Sequence, residues 1–338
     1  MSAITPVLDR LAAHIAELSA QLGCRVDIAA LKATDRRRCL TLSPPGDISP
    51  NGACRILRAA DGFMALNLAR WEDLELVPAW LRRDVDGDIW TSIAEQVRAH
   101  ACGDLVGDGV RLGLPVARVG EIPCDGIAPS LVTYGRAKTR TRGALRVVDL
   151  SALWAGPLCG AVFAKMGASV VRVESLRRPD PVRQTMPDFF EALNGCKATL
   201  RLDLGCCEDK KRLRAAVASA DVLITSARQR VFANIGLLPE AVFAQQEGLV
   251  WIAITGYGWA SNRVAFGDDA AAAGGLVRWS RNGMPTFVGD ALADPLTGLA
   301  AAEGGLRALL AGGGVLVDAA MARCAAGAAA SCGLAVAA

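Results

Sequence analysis

The chain has 338 residues, 52% hydrophobic and 21% charged, so it is long and apolar enough to bury a substantial core. Its 37 basic and 34 acidic residues leave a net charge of +3, which is too balanced to indicate nucleic-acid binding. Eleven cysteines without a C-x-x-C pair or zinc spacing indicate reduced thiols, a cytoplasmic protein and no metal site.

The first part of the chain predicts a small lobe of helices and a hairpin. Apolar residues at helical spacing from Leu8 to Leu18 predict a first helix of about four turns. Residues 54–68 predict two short strands around an Asp61-Gly62 turn. Charged residues interrupt both this first helix and the Ala-rich C-terminal segment, so no membrane insertion is expected.

Residues 126–143 lose hydrophobic periodicity and gather basic side chains at Lys138, Arg140 and Arg142. This composition predicts a linker between two lobes. A solvated basic surface loop is the alternative interpretation of the same residues.

From residue 144 onward, apolar strands alternate with helices. The segment 145–175 reads strand, helix, strand, which is the size of a parallel βαβ unit. Further alternation to residue 258 predicts an α/β fold, a parallel sheet covered by helices on both faces. Ligands of such sheets bind beyond the carboxyl ends of the strands. The first strand–helix turn lacks the G-x-G-x-x-G dinucleotide fingerprint.

Carboxylates are the expected reactive groups in this sheet region. Only His14 and His100 occur, both outside it, which argues against Ser-His-Asp or Cys-His chemistry. Asp294 precedes a proline and an Ala-rich helix, and is either the cap of that helix or a nucleophile stabilised by it. Asp268 and Asp269 fit the first turn of another helix, where the dipole favours negative charge.

An arginine-rich loop follows the second strand of the βαβ unit. Arg177, Arg178 and Arg183 come directly after Glu174 and are separated by prolines. Guanidinium groups at the carboxyl edge of a sheet are suited to phosphates. A solvated loop with partial ion pairing is the alternative.

Five segments of the chain resemble the first lobe of family III CoA-transferases, the CaiB/BaiF family. They occur in the order seen in that family and at similar spacing, and they cover residues 147–175, 194–204, 220–237, 249–258 and 289–321. The resemblance implies a Rossmann-like parallel sheet domain with a smaller α+β lobe, usually in an interlocked homodimer. It also implies transfer of CoA between an acyl-CoA thioester and a carboxylic acid. Coenzyme A would be a substrate, with no tightly bound cofactor.

The same resemblance assigns roles to individual residues. Asp294 falls on the catalytic aspartate, which would form a covalent aspartyl intermediate. The turn of Leu153, Trp154 and Ala155 would hold CoA. Its phosphates would meet Arg177 or Arg178.

Two departures from the family pattern shape the remaining alternatives. Where racemases of the family place a histidine, this chain has Asp268, so an acyl-CoA racemase that uses Asp268 with Asp294 is the second hypothesis. A non-catalytic acyl-CoA-binding subunit is the third. Segments within 60–122 resemble the second lobe of the family, which ordinarily follows the catalytic lobe, so the lobes look permuted or shortened. The expected division is a small lobe at 1–125, a linker at 126–143 and a catalytic lobe at 144–338.

Overall fold

The computed structural model describes residues 3–85, 87–138 and 144–334. The helices are α1 Thr5–Gln21, α2 Trp71–Leu81, α3 Ile89–Ala99, α4 Cys102–Leu112, α5 Ala155–Lys165, α6 Val182–Thr185, α7 Pro187–Asn194, α8 Cys207–Ala218, α9 Gln229–Ile235, α10 Pro239–Gln245, α11 Gly267–Ala273, α12 Ala293–Leu310 and α13 Met321–Ser331. The strands are β1 Cys54–Ala59, β2 Gly62–Asn67, β3 Val116–Arg118, β4 Ser130–Thr133, β5 Arg146–Leu150, β6 Ser169–Ser175, β7 Ala198–Leu202, β8 Val222–Thr225, β9 Val250–Thr255, β10 Val277–Trp279, β11 Pro285–Phe287 and β12 Val315–Ala320.

A seven-stranded sheet organises the larger part of the molecule. Its order is β4-β12-β9-β8-β5-β6-β7, and every pair is parallel except the antiparallel pair of β4 with β12. The predicted α/β fold with a parallel sheet is therefore confirmed. The parallel strands bring their carboxyl ends to one edge, which positions the site described below.

Alternate residues of the central strands enter two different cores. On β9, Val250 and Ile252 pack against α5 and α12, whereas Trp251 faces the opposite core with α8, α9 and α10. Successive strand side chains point to opposite faces, so a strand that is covered on both sides must be apolar throughout. This requirement explains the uninterrupted apolar runs in the sequence.

The smaller lobe contains the predicted hairpin. Strands β1 and β2 pair antiparallel with Ala59 opposite Gly62, and β3 adds to β2. Helices α2, α3 and α4 cover one face of this sheet around Val77, Ile93 and Val97. The other face packs on α11 and on the β10–β11 hairpin, and this contact joins the two lobes.

Two segments depart from the expected grouping of the chain. Helix α1 was assigned to the small lobe, yet its Val7, Leu11 and Ile15 belong to the core that α12 shares with the large sheet. Strand β4 lies inside the expected linker 126–143 and forms an edge of the seven-stranded sheet. Apolar periodicity shows that a helix has a buried face but not which partner covers it, and a short edge strand carries little pattern. Arg140 and Arg142 of the expected linker lie outside the described residues.

All eleven cysteines are free thiols. Among the described helices, none has the length and apolarity that crossing a membrane requires. The described histidine, cysteine, aspartate and glutamate side chains include no group of three or more suited to a metal ion.

Candidate active site

A cleft of ≈ 330 Å³ opens at the carboxyl edge of the parallel sheet. Its wall contains the residues that directly follow β5, β8, β9 and β12, namely Ala152, Leu153, Ser226, Ala227, Gly256 and Met321. Arg70 at the start of α2 brings the small lobe to the same cleft. The cleft thus lies where ligands of open parallel sheets bind.

The turn between β5 and α5 presents backbone to the cleft. Leu153 has a φ of +70°, in the left-handed region that non-glycine residues rarely adopt. Its amide donates a hydrogen bond to Asp180 Oδ2 at 3.1 Å, and the amide of Ala152 donates to Ser226 Oγ at 3.1 Å. These bonds hold a strained turn beside the ligand space.

The three residues expected to hold CoA divide into two groups. Leu153 and Ala155 line the cleft. Trp154 is buried beneath the turn, where its Nε1 donates to Ala33 O at 2.8 Å and its ring meets Phe189 edge-on. In this structure Trp154 supports the turn from below and does not line the cleft.

A fully buried ion pair lies under the same turn. Lys197 Nζ donates to Asp149 Oδ2 at 2.9 Å, to Pro157 O at 2.8 Å and to Asn194 Oδ1 at 3.0 Å. The other oxygen of Asp149 accepts from the amide and hydroxyl of Ser151. Because both charges are fully hydrogen-bonded, the pair tolerates burial and ties the first turn of α5 to β5.

Asp294 lies in the first turn of α12 and is partly exposed to the cleft. Helix α12 begins one residue earlier, at Ala293, and no side chain caps it. The interpretation of Asp294 as a helix cap is therefore wrong, because Leu292 occupies the cap position and Asp294 is the second residue of the helix.

The surroundings of Asp294 make its carboxyl a weak acid. Burial raises the pKa of Asp294 to about 7, an effect that nearby Asp268 and Asp290 strengthen. The guanidinium of Arg36 and the amide of Ala155, the first residue of α5, lower this pKa and favour the anion. The side chain therefore titrates near neutral pH.

Glycine at position 267 makes room for this carboxyl. A Cβ placed on Gly267 would overlap Asp294 Oδ2 and lie 2.6 Å from Ala291 O. Any larger residue at the start of α11 would displace Asp294 from the cleft wall.

The secondary candidates, Asp268 and Asp269, are buried behind Asp294. Asp268 is 3% exposed, and its oxygens accept from Asn51 Nδ2 at 2.6 Å and from the amide of Ala291 at 2.7 Å. Burial raises the pKa of Asp268 to about 6. Neither residue is part of the cleft wall.

Asp269 closes the start of α11. One oxygen accepts from the amide of Phe266 at 2.9 Å and from Asn67 Nδ2 at 3.1 Å, and the other is buried without a partner among the described residues. Burial raises the pKa of Asp269 to about 8, so the carboxyl is protonated at neutral pH.

The arginines differ in their position relative to the cleft. Arg178 lines it and contacts Glu72 at 3.3 Å. Arg177 pairs with Asp203 at 2.7 Å, and its side chain is 70% exposed and outside the cleft wall. Binding of phosphates by either residue stays a prediction.

Sequence reasoning missed three further arginines of the cleft wall, Arg70, Arg228 and Arg263. Within the described part of the chain, the Arg228 guanidinium meets no carboxylate. Burial and the neighbouring positive charges of Arg230, Arg70 and Arg178 lower its pKa. The position of Arg228, three residues after the carboxyl end of β8, is the sequence signal from which its place in the cleft could have been predicted.

The model of the family described as CoA-transferase family III matches residues 144–333, more than half of the chain. The chain belongs to CoA-transferase family III. The matched region contains the parallel sheet, the β5–α5 turn and Asp294. Residues 1–143 lie outside it, so the resemblance of 60–122 to the second lobe of the family stays a prediction.

Named members of this family are similar to the chain over part of its length. Succinyl-CoA:mesaconate CoA-transferase of Haloarcula hispanica is 31% identical over 203 residues, which cover 52% of this chain and 50% of the relative. Succinyl-CoA–D-citramalate CoA-transferase of Chloroflexus aurantiacus is 29% identical and covers 49% of this chain and 44% of the relative. The chain spans about half the length of the curated relatives it matches.

A solved CoA-transferase family relative shares the fold. The CAIB/BAIF family protein from Brucella suis superposes with a TM-score of 0.52 at 28% identity, covering 55% of each chain. The expected family III fold, a Rossmann-like parallel sheet, is confirmed by this likeness.

Replacing Gly267 by Ala should displace the Asp294 carboxyl and reduce any Asp294-dependent activity by about 100-fold or more, since sub-ångström placement controls reactivity. Gly103→Ala is the matched control, because a Cβ at Gly103 meets no atom within 4 Å. Equal activity in both variants would contradict the close approach of Gly267 to Asp294.

Replacing Asp269 by Asn should flatten the pH dependence of stability. The folded protein retains a proton on Asp269 between about pH 4 and pH 8 that the unfolded chain releases, so the free energy of unfolding falls as pH rises through this window. Asn removes this proton linkage, and the slope should lessen by up to about 1.4 kcal/mol per pH unit. Urea unfolding at pH 5, 6, 7 and 8 measures the free energy of unfolding at each pH, and Asp104→Asn, at an exposed position, is the control. If this free energy changes with pH equally in Asp269→Asn and the wild type, Asp269 does not retain its proton in the folded protein.

Proposed function

We propose that the chain is a CoA-transferase that moves CoA from an acyl-CoA thioester to a carboxylic acid, with the Asp294 carboxylate as nucleophile. The observation that carries this proposal is the position of Asp294, the carboxylate of the cleft wall, at the carboxyl edge of the sheet with a pKa of about 7. A desolvated carboxylate that still ionises near neutral pH is a stronger nucleophile than a solvated one.

The reaction is a sequence of acyl transfers through Asp294. One carboxylate oxygen attacks the thioester carbonyl, the C–S bond breaks, and an Asp294–acyl anhydride and CoA thiolate form. The thiolate attacks the aspartyl carbonyl and releases the donor acid, leaving an Asp294–CoA thioester. The acceptor carboxylate then attacks this thioester, the C–S bond breaks, and an Asp294–acceptor anhydride and CoA thiolate form. The thiolate attacks the acceptor carbonyl of this anhydride, which gives the new acyl-CoA and frees the Asp294 carboxylate.

Backbone groups near Asp294 are suited to stabilise the negative charge of these steps. Ala155 and Gly156 line the cleft at the N-terminus of α5, where amide groups have no partner within the helix. The α5 end and Arg36 together favour an anion at Asp294, and the same field stabilises an oxyanion formed beside it.

The polar end of the cleft is suited to the phosphates of CoA. Arg70, Arg178 and Arg228 line it, and Arg228 makes no ion pair within the described residues. Arg228 is partly exposed, and the positive charges around it favour the binding of an anion at this end of the cleft. The pantetheine arm would then extend past Leu153 and Ala155 toward Asp294.

The names of the relatives guide the choice of substrates. They include transferases named for succinyl-CoA with mesaconate or D-citramalate, for succinate with glutarate, and for formyl-CoA with oxalate. We therefore propose small dicarboxylic acids as the first acceptors to test. Asp268 is too buried to meet a substrate α-carbon, so the racemase alternative gains no support from the geometry.

Replacing Asp294 by Asn should lower CoA transfer at least about 1,000-fold and leave CoA affinity within about threefold, because the nucleophile is lost and the phosphate contacts are kept. The assay follows succinyl-CoA turnover with each acceptor acid. Asp104→Asn, another aspartate in the first turn of a helix, is exposed and serves as the control. Transfer by Asp294→Asn at the wild-type rate would exclude the mechanism, and binding without transfer in the wild type would favour a non-catalytic subunit.

Replacing Arg228 by Gln should raise the KM for acyl-CoA about tenfold, because one charge-assisted phosphate contact is lost. The KM for the same acyl group on pantetheine, which lacks the nucleotide phosphates, should stay unchanged. Arg98→Gln on the exposed surface of α3 is the control. An equal rise in KM for both thioesters would contradict a phosphate-binding role.

A further inference from the structure

Three carboxyl groups, Asp268, Asp290 and Asp294, lie close together at one side of the cleft, with Asp294 in the cleft wall and the other two behind it. Arg36, from the segment between α1 and β1, binds Asp290 at two points. Its Nε donates to Asp290 Oδ2 at 2.6 Å, and its Nη2 donates to Asp290 Oδ1 at 2.8 Å. Only 15% of the Arg36 side chain and 8% of the Asp290 side chain are exposed. The two groups therefore form a bidentate ion pair shielded from solvent.

Asn51, from the same N-terminal segment, joins two of the carboxyl groups. Its Nδ2 donates to Asp268 Oδ2 at 2.6 Å and to Asp290 Oδ1 at 2.8 Å. An amide NH₂ has two donors and no charge, so it satisfies both oxygens without adding a second cation. Asn51 thus links α11 to the loop before α12.

This loop carries the backbone that places Asp294. Ala291 has a φ of +45°, a left-handed conformation that is unfavourable for alanine. Its amide donates to Asp268 Oδ1 at 2.7 Å, and its carbonyl accepts from the amide of Asp294 at 2.9 Å. The strained residue is therefore held between a carboxyl group fixed by Asn51 and the first turn of α12.

We propose that Arg36 and Asn51 are positioning residues for Asp294. Arg36, which Asp290 holds in place, supplies a positive charge beside the Asp294 carboxyl. Asn51 fixes Asp268 and, through it, the turn at Ala291 that leads into Asp294. This inference rests on the proposed function of Asp294. Both residues lie outside the family-matched range 144–333. The N-terminal segment of this chain would therefore complete a site whose nucleophile comes from the matched region.

The charges around Asp294 determine whether a substitution at a neighbouring residue should raise or lower the pKa of Asp294. Arg36 exerts the largest effect among the charged neighbours and opposes Asp268 and Asp290. Further groups face the cluster at one remove: Cys54 of β1 lies near Asp268 and Asp269, and Arg70 near Asp269. His14 and Glu303, which meet on the α1–α12 contact, lie about 13 Å further along α12 from Asp294.

Two substitutions at this ion pair should shift Asp294 in opposite directions. Arg36→Met removes the attractive charge and should raise the pKa of Asp294, whereas Asp290→Asn removes a repulsive charge and should lower it. A ¹³C NMR titration of the aspartate carboxyl groups measures both, with the Asp294 signal assigned by its absence in Asp294→Asn. Shifts in the same direction, or no shift in either variant, would overturn the proposal.

The pH profile of CoA transfer gives the functional arm of the test. If Arg36→Met raises the midpoint by one unit, from about 7, kcat/KM at pH 7 should fall about fivefold and recover by pH 9. Arg37→Met, whose side chain is 71% exposed, is the matched control. A loss of activity that is equal at pH 7 and pH 9 would show a merely structural role and overturn the proposal.

The two arms separate this inference from the proposed function. Opposite NMR shifts in a protein without CoA transfer would refute the function and keep the positioning role, because the titration needs no turnover. If Arg36→Met does not fold, Arg36→Lys replaces it, since lysine keeps the charge and loses the two-point contact. A wild-type midpoint in Arg36→Lys with a lowered midpoint in Asp290→Asn supports the proposal, and an unchanged midpoint in Asp290→Asn overturns it.

Discussion

The constraint on which the site depends is the cost of placing the Asp294 carboxylate in a largely buried position beside two other carboxyl groups. Burial alone would keep Asp294 protonated, and two neighbouring carboxyl groups add to this effect. The Arg36 guanidinium and the N-terminus of α5 oppose it, so the acid titrates near neutral pH instead of far above it. If Asp294 is the nucleophile, as we propose, it is available as an anion and is also partly desolvated, which are the two properties that attack on a thioester requires.

The geometry of the sheet explains why these groups meet at all. Parallel strands end at a common edge, so the turns after β5, β8, β9 and β12 lie side by side although they are far apart in the chain. The buried Lys197–Asp149 pair and the Asp180–Leu153 bond then hold the first of these turns against the sheet. Rigid support below a backbone turn is what allows its amides to face a reacting atom with little reorganisation.

The sequence predicted the parts of this arrangement that follow from local pattern. Uniformly apolar strands between helices predicted the parallel sheet, and an Asp-Gly turn predicted the β1–β2 hairpin, because both patterns follow directly from backbone geometry. The same level of reasoning placed Asp294 at the start of a helix but took it as a possible cap. A difference of two residues in the helix start, Ala293 instead of Pro295, decides that question, and sequence does not resolve boundaries so finely.

Contacts across long sequence distances were beyond such reasoning. Arg36 meets Asp290 across 254 residues and Asn51 meets Asp268 across 217, and neither partner carries a local signal of the other. The apolar face of α1 was visible in the sequence, but its docking on α12 depends on which surface the folded sheet domain leaves uncovered. Arg70 reaches the cleft only because the small lobe packs on α11.

The most direct test of the account is chemical trapping of Asp294. The protein is incubated with an acyl-CoA and hydroxylamine, digested, and analysed by mass spectrometry. The account predicts a hydroxamate on the peptide that contains Asp294, since hydroxylamine intercepts the anhydride or thioester at that carbonyl. Turnover of acyl-CoA with an acceptor acid but with Asp294 unmodified, or with the hydroxamate on another residue, would contradict it.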